Sequence, residues 1–157
     1  MAFWEDEVVA VEVWYYIHRN APAEWLFLFV LEEKIPIGAG PGIRLALVDE
    51  ELTVEHKFPN PNIYQNDATA IKFPRDEWVK VNFEALLSKK EDGYIKVWQN
   101  DVLIIEQMDW QTLPKDILYF NLGTKAMYNQ IEFGATANGS DSPVTVNVDD
   151  VRVEVLP

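Results

Sequence analysis

Val9, Val11, Val13, Tyr15 and Ile17 alternate with more polar neighbours, and this period of two, not the 3.6 of a helix, recurs down the whole chain. Alternation of that kind sends one row of side chains into a core and the other into water, as a half-buried strand does. Further strands are read at Ile43–Val48, Leu52–Phe58, Thr69–Phe73, Trp78–Leu87, Tyr94–Gln99, Val102–Glu106, Ile117–Leu122, Tyr128–Thr136 and Val144–Val155. The run Trp25–Leu31 is apolar throughout and reads as a strand covered on both faces. Turn chemistry separates the strands at Gly38–Gly42, Asp49-Glu50, Pro59–Pro61, Glu91–Gly93 and Asn138–Pro143. At least nine short strands and no amphipathic helix predict an all-β, two-sheet antiparallel jelly-roll sandwich.

Two places fix register. Asn100-Asp101 suits a two-residue hairpin, since both residues tolerate φ > 0. Gln99 then faces Val102, which puts Ile95, Val97, Val102 and Ile104 on one face and Tyr94, Lys96, Trp98, Leu103 and Ile105 on the other. In the last strand Val144, Val146 and Val148 share one parity while Val151, Val153 and Val155 share the opposite one. A bulge at Asp149-Asp150 accounts for the slip.

The 157 residues form one expected domain, 1–157, with no repeat or linker. Lys and Arg number 13 against 26 Asp and Glu, a formal charge of −13 that disfavours nucleic acid and anionic surfaces as partners. Without cysteine there is no disulfide and no thiolate site. The opening residues Met1–Glu7 lack the basic segment and apolar stretch of a signal peptide. The longest apolar run, seven residues, falls short of the ~20 a membrane-crossing helix needs.

Trp78-Val-Lys-Val81, Asp92–Leu103 and Val146–Val153 resemble segments of concanavalin A-like jelly rolls, above all the heparin-lyase-like polysaccharide lyases, with laminin G-like domains as further relatives. The resemblance covers about a quarter of the chain. It implies a sandwich, a glycan or polysaccharide partner and an extracellular setting. The glucanase branch's Glu-x-Asp-x-x-Glu strand is not reproduced by Glu7–Glu12, and the Gln and His that such lyases carry on a central strand are absent from Leu26–Leu31.

Aromatic residues make up 13% of the chain, enough to supply flat apolar rings for sugar faces as well as a core. Trp14, Tyr16 and His18 fall on one face of their strand, as do Tyr94, Lys96 and Trp98; Trp14, Tyr16, His18, Tyr94 and Trp98 are the candidate ligand-binding set. A lyase would need a base beside a uronate carboxylate and a cation or amide to offset it. His18, His56, Tyr64 and Arg44 are the candidates, with Tyr16 and Asn62 as auxiliaries, against the plainer reading of two strand-surface histidines. Asp149 or Asp150 with Glu5 or Asp6 could cage a structural calcium. Asn138-Gly-Ser140 matches a glycosylation sequon in what is equally a turn, and Gly38–Gly42 lacks the Lys-Ser/Thr of a phosphate loop.

The expectation is therefore a non-catalytic sandwich that binds a neutral or weakly charged glycan through exposed aromatics, without lyase activity on polyuronates. The alternatives are a polysaccharide lyase working through His and Tyr, and a structural domain of an extracellular or viral assembly.

Overall fold

The alternating segments pair as their period requires. In a computed structural model, which describes residues 1–21, 24–35, 38–57, 60–115, 117–119, 122–124, 126–139 and 143–157, the described residues form strands and no helix. In chain order these are β1 (Val8–Ile17), β2 (Trp25–Ile35), β3 (Gly38–Val48), β4 (Glu51–His56), β5 (Trp78–Leu86), β6 (Gly93–Gln99), β7 (Val102–Trp110), β8 (Ile117–Tyr119), β9 (Leu122–Thr124), β10 (Gln130–Asn138) and β11 (Val146–Leu156). One antiparallel sheet runs β11-β1-β5-β6-β7, a second β10-β2-β3-β4, and β8 and β9 pair separately. The jelly-roll sandwich expected from the pattern is the observed fold.

The core lies between the two larger sheets. Val9, Val11, Val13, Tyr15 and Ile17 of β1 and Val79, Val81, Phe83 and Ala85 of β5 meet Leu26, Phe29 and Leu31 of β2 and Ile43, Leu45 and Leu47 of β3. Phe29 bridges the layers, its ring 5.1 Å from that of Phe83. β2 is buried on both faces, as its apolar run implies, and a register shift between Phe27 and Phe29 inserts Leu28 as an extra residue. Its carbonyl accepts a 2.6 Å hydrogen bond from the buried Tyr15 hydroxyl, which ties the sheets together. Tyr15→Phe removes that bond with little change of volume and is expected to cost about 1 kcal/mol, a fall of roughly 2–4 °C in melting temperature. A melting curve identical to the native one would mean that the bond contributes nothing net.

Several sequence expectations need adjusting. The Asn100-Asp101 turn is as read, with φ of 48° and 66° and Gln99 opposite Val102. A bulge then intervenes: Trp98 pairs with Leu103 but Val97 with Ile105, so Ile105 enters the core and the exposed Val102 does not. Gly38–Gly42 is no turn but the start of β3. The glycines are needed for close approach: a Cβ on Gly42 would sit 2.7 Å from the Leu31 carbonyl oxygen, and one on Gly40 2.5 Å from that of Glu33. Thr69–Phe73 forms no strand; Lys72 makes a single bridge to Glu51. Leu52–Phe58 ends at His56, and Phe58 lies outside the described residues. In Ile117–Leu122 the structure places two short strands, with 120–121 outside the described residues. The phase slip in β11 is as expected. Glu12 pairs with Arg152 and Trp14 with Asp149, so β11 spends one extra residue there, and Asp150 takes a left-handed φ of 47°. The bulge lets Val146, Val148 and Val153 all pack on the core despite their opposite parities.

Candidate active site

The outer face of the four-stranded sheet is set by the same alternation that fills its inner face. Beyond the β2 bulge, Val30, Glu32 and Lys34 point outward, beside Arg44 of β3, Glu55 of β4 and Gln130 and Glu132 of β10. All of these except Glu55 border an open groove of about 350 Å³ floored by Phe27 and Val30. Arg44 lies with its guanidinium carbon 4.5 Å above the Phe27 ring, and its Nη1 donates to Glu55 Oε1 at 2.8 Å. Ring below and carboxylate beside hold the guanidinium in one orientation. Lys57 Nζ donates to the buried Glu32 at 2.9 Å. Lys34 is positioned through its backbone N–H, which donates to Asn129 Oδ1 at 2.7 Å. Lys34, Arg44 and Lys57 thus balance Glu32, Glu55 and Glu132, an electrically neutral patch on a chain of charge −13.

The four lyase candidates do not converge. Arg44 lines the groove, whereas Tyr64 does not line it but, by the parity of its neighbour Ile63, stands toward the same side. Ile63 bridges to Val54 and is buried, so alternation turns the exposed Asn62 and Tyr64 to the outer side, beyond the edge of β4. His56 has the parity of Val54 and faces inward. It is buried, its Nε2 accepts a 3.0 Å hydrogen bond from Trp110 Nε1, and burial pushes its pKa down to about 4. His18 stands on the other sheet, half exposed and 3.8 Å from Asp76. The sequence reading missed Lys34, Lys57 and Gln130. Each was legible only as a polar end of an apolar strand, and their convergence depends on the strand order β10-β2-β3-β4.

The aromatic candidates do share a surface, the outer face of the five-stranded sheet. Trp14 and Tyr16 of β1 lie across from Lys80 and Trp78 of β5, and Trp98 of β6 lies across from Asn82. Tyr94 sits at the far end of β6, its hydroxyl donating to Glu84 at 2.7 Å, and its pKa is pushed up to about 12, chiefly by burial and then by that carboxylate. The calcium quartet is separated. Glu5, paired with Lys89, and Asp6 precede the Val8 end of β1, whereas Asp149 faces Trp14, a distance of about 20 Å or more along the strand at ~3.3 Å per residue. Among the described residues no group of three His, Asp or Glu side chains is placed to hold a metal ion.

Solved structures with the same architecture include an endo-β-1,4-glucuronan lyase from the fungus Trichoderma reesei, with a TM-score of 0.66, 12% identity, and coverage of 96% of this chain and 69% of that one. The cellulose-induced protein Cip1 gives 0.64, 14%, 96% and 69% for the same measures. An alginate lyase from Aplysia kurodai gives 0.57, 12%, 95% and 70%. At these identities the likeness speaks for the fold alone. No curated protein matches the sequence. The sequence pattern of the family described as polysaccharide lyase matches residues 17–152, well over half the chain. That match overturns the expected non-catalytic binding module in favour of its alternative: the chain belongs to the polysaccharide lyase family.

Proposed function

We propose that this chain is an extracellular polysaccharide lyase that cleaves a uronate-containing polymer by β-elimination in the groove of the four-stranded sheet. The observation that carries the reading is the family match over residues 17–152. The groove supports it by its chemistry. Elimination removes the proton on the carbon bearing the carboxylate. The electron pair forms a double bond to the neighbouring carbon, and the glycosidic oxygen leaves from there and takes up a proton. The proton is too weakly acidic unless the carboxylate's growing charge is met by fixed donors.

Arg44 is that donor. Phe27 and Glu55 orient its guanidinium, and Gln130 and the lysines Lys34 and Lys57 supply further N–H groups along the groove. Tyr64 is assigned the proton transfer. From strand spacing and rise, its Cα lies about 12 Å from that of Arg44, leaving room for a sugar ring between the two side chains. The overall charge of −13 argued against a polyanionic substrate, but local groups within a Debye length of about 8–10 Å dominate what a bound carboxylate feels. There the patch is neutral and rich in N–H donors. Incubation with polyglucuronate or alginate should yield unsaturated products, read by their ultraviolet absorbance. Absence of such products from both polymers, with folded protein, would sink the proposal.

A further inference from the structure

The outer face of the five-stranded sheet plays no part in that chemistry, and it is built differently. Trp14, Trp78, Asp149 and Asp150 border an open groove of about 260 Å³. Trp14 pairs with Lys80, and Trp78 lies two residues along β5, so the two tryptophans are diagonal neighbours with Cα atoms about 7–8 Å apart. Neither belongs to the core, and Trp78 is 43% exposed. The Trp78 ring is braced: Tyr16 packs edge-on against it with centroids 5.7 Å apart, and His18 against Tyr16 at 5.0 Å. Further across the face, Trp98 borders a second groove with Glu12, Asn82, Glu84 and Arg152. Counting Glu12, Glu84, Asp101, Glu106, Asp149, Asp150 and Glu154 against Lys80, Lys96 and Arg152, the face carries seven carboxylates to three cations.

We propose that this face is a second polysaccharide-binding surface, specific for a neutral, hydroxyl-rich glycan and separate from the uronate groove on the opposite sheet. Indole faces match the C–H faces of pyranose rings, and the diagonal spacing of Trp14 and Trp78 presents two rings to successive sugars of one strand. Carboxylates at the rim accept hydrogen bonds from sugar hydroxyls, and their excess repels a polyuronate. The two sheets pack ~10 Å apart and their outer faces look opposite ways, so one molecule can hold a neutral polymer on one side while cleaving an acidic one on the other.

Native-gel affinity electrophoresis tests this with hydroxyethyl cellulose and glucomannan as neutral probes and polyglucuronate as the charged one. The native protein should be retarded by at least one neutral polymer. Trp78→Ala should weaken that affinity by a factor of ten or more, Trp14→Ala/Trp78→Ala should abolish it, and neither should alter the rate on soluble polyglucuronate. Trp14 is half-buried, so Trp78→Ala, checked by its melting transition, is the deciding variant. Retardation by neither neutral polymer overturns the proposal. So does a folded Trp78→Ala protein retarded like the native one, or a Trp78-dependent preference for polyglucuronate. Lack of lyase activity in every protein tested would remove the lyase reading and leave this one standing.

Discussion

Replacing Arg44 with alanine is expected to lower kcat/KM on the cleaved polyuronate by roughly two to three orders of magnitude, the usual cost of removing one preorganised donor from a developing negative charge. The guanidinium is held over Phe27 and against Glu55 at the border of the groove, so it does not have to be ordered when substrate arrives. Arg44→Lys keeps the charge but loses the planar fork and its stacking, and should recover only part of the rate. Tyr64→Phe separates binding from chemistry: as a proton-transfer group its loss should lower kcat and leave KM near its native value. The assay is the appearance of unsaturated product under initial-rate conditions, with melting curves to confirm folding. An Arg44→Ala protein within a factor of three of the native rate would move the carboxylate site elsewhere.

The fold was legible because its cause is local. Alternation in β1, β5 and β6 reflects which side chains meet the core, and the Asn100-Asp101 turn and the Asp149-Asp150 slip announced themselves by composition and parity. Errors came where two effects compete. Gly38–Gly42 carries turn residues, yet there the glycines serve close strand approach. Ile105 changed sides because a bulge consumed one residue of β7, which no spacing in the sequence signals. The site was harder to read, since it is a property of sheet order. Arg44 and Tyr64 lie on one side because β3, β4 and the Ile63 bridge are neighbours, while His18 belongs to the other sheet. His56 went astray on parity alone: its β4 neighbours Val54 and Leu52 face inward, and so does it. The missing Gln and His on Leu26–Leu31 weighed against lyase chemistry only so long as the groups had to come from that strand.

His56 should make stability depend on pH in a way its removal abolishes. The imidazole is buried, with Nε2 accepting from Trp110 Nε1, and its pKa falls from 6.5 to about 4 because burial penalises the charged form. In the unfolded chain it takes up a proton as pH drops through about 6.5, whereas in the folded protein it stays neutral until about 4. Between these values the unfolded state binds more protons, so stability rises with pH and is lost as pH falls. The shift corresponds to about 3 kcal/mol in full, of which roughly 2 kcal/mol is lost by about pH 5. His56→Gln keeps an acceptor for Trp110 without titrating, and its stability should run nearly flat relative to the native protein's from neutral pH to about 5. Carboxylates held low, such as Asp76 beside Arg19 and Glu50 beside Lys72, are common to both proteins and cancel in the difference. Urea unfolding at a series of pH values measures it. Parallel curves for the two proteins would place the His56 pKa near its ordinary value and contradict the buried position. The consequence reaches the groove, because the next residue is Lys57, whose backbone N–H donates to the Gly42 carbonyl at 2.9 Å and whose Nζ holds Glu32. Protonation of the folded protein, which begins only as pH approaches about 4, loosens the end of β4 and displaces a cation from the proposed uronate site, so lyase activity should fall near that pH.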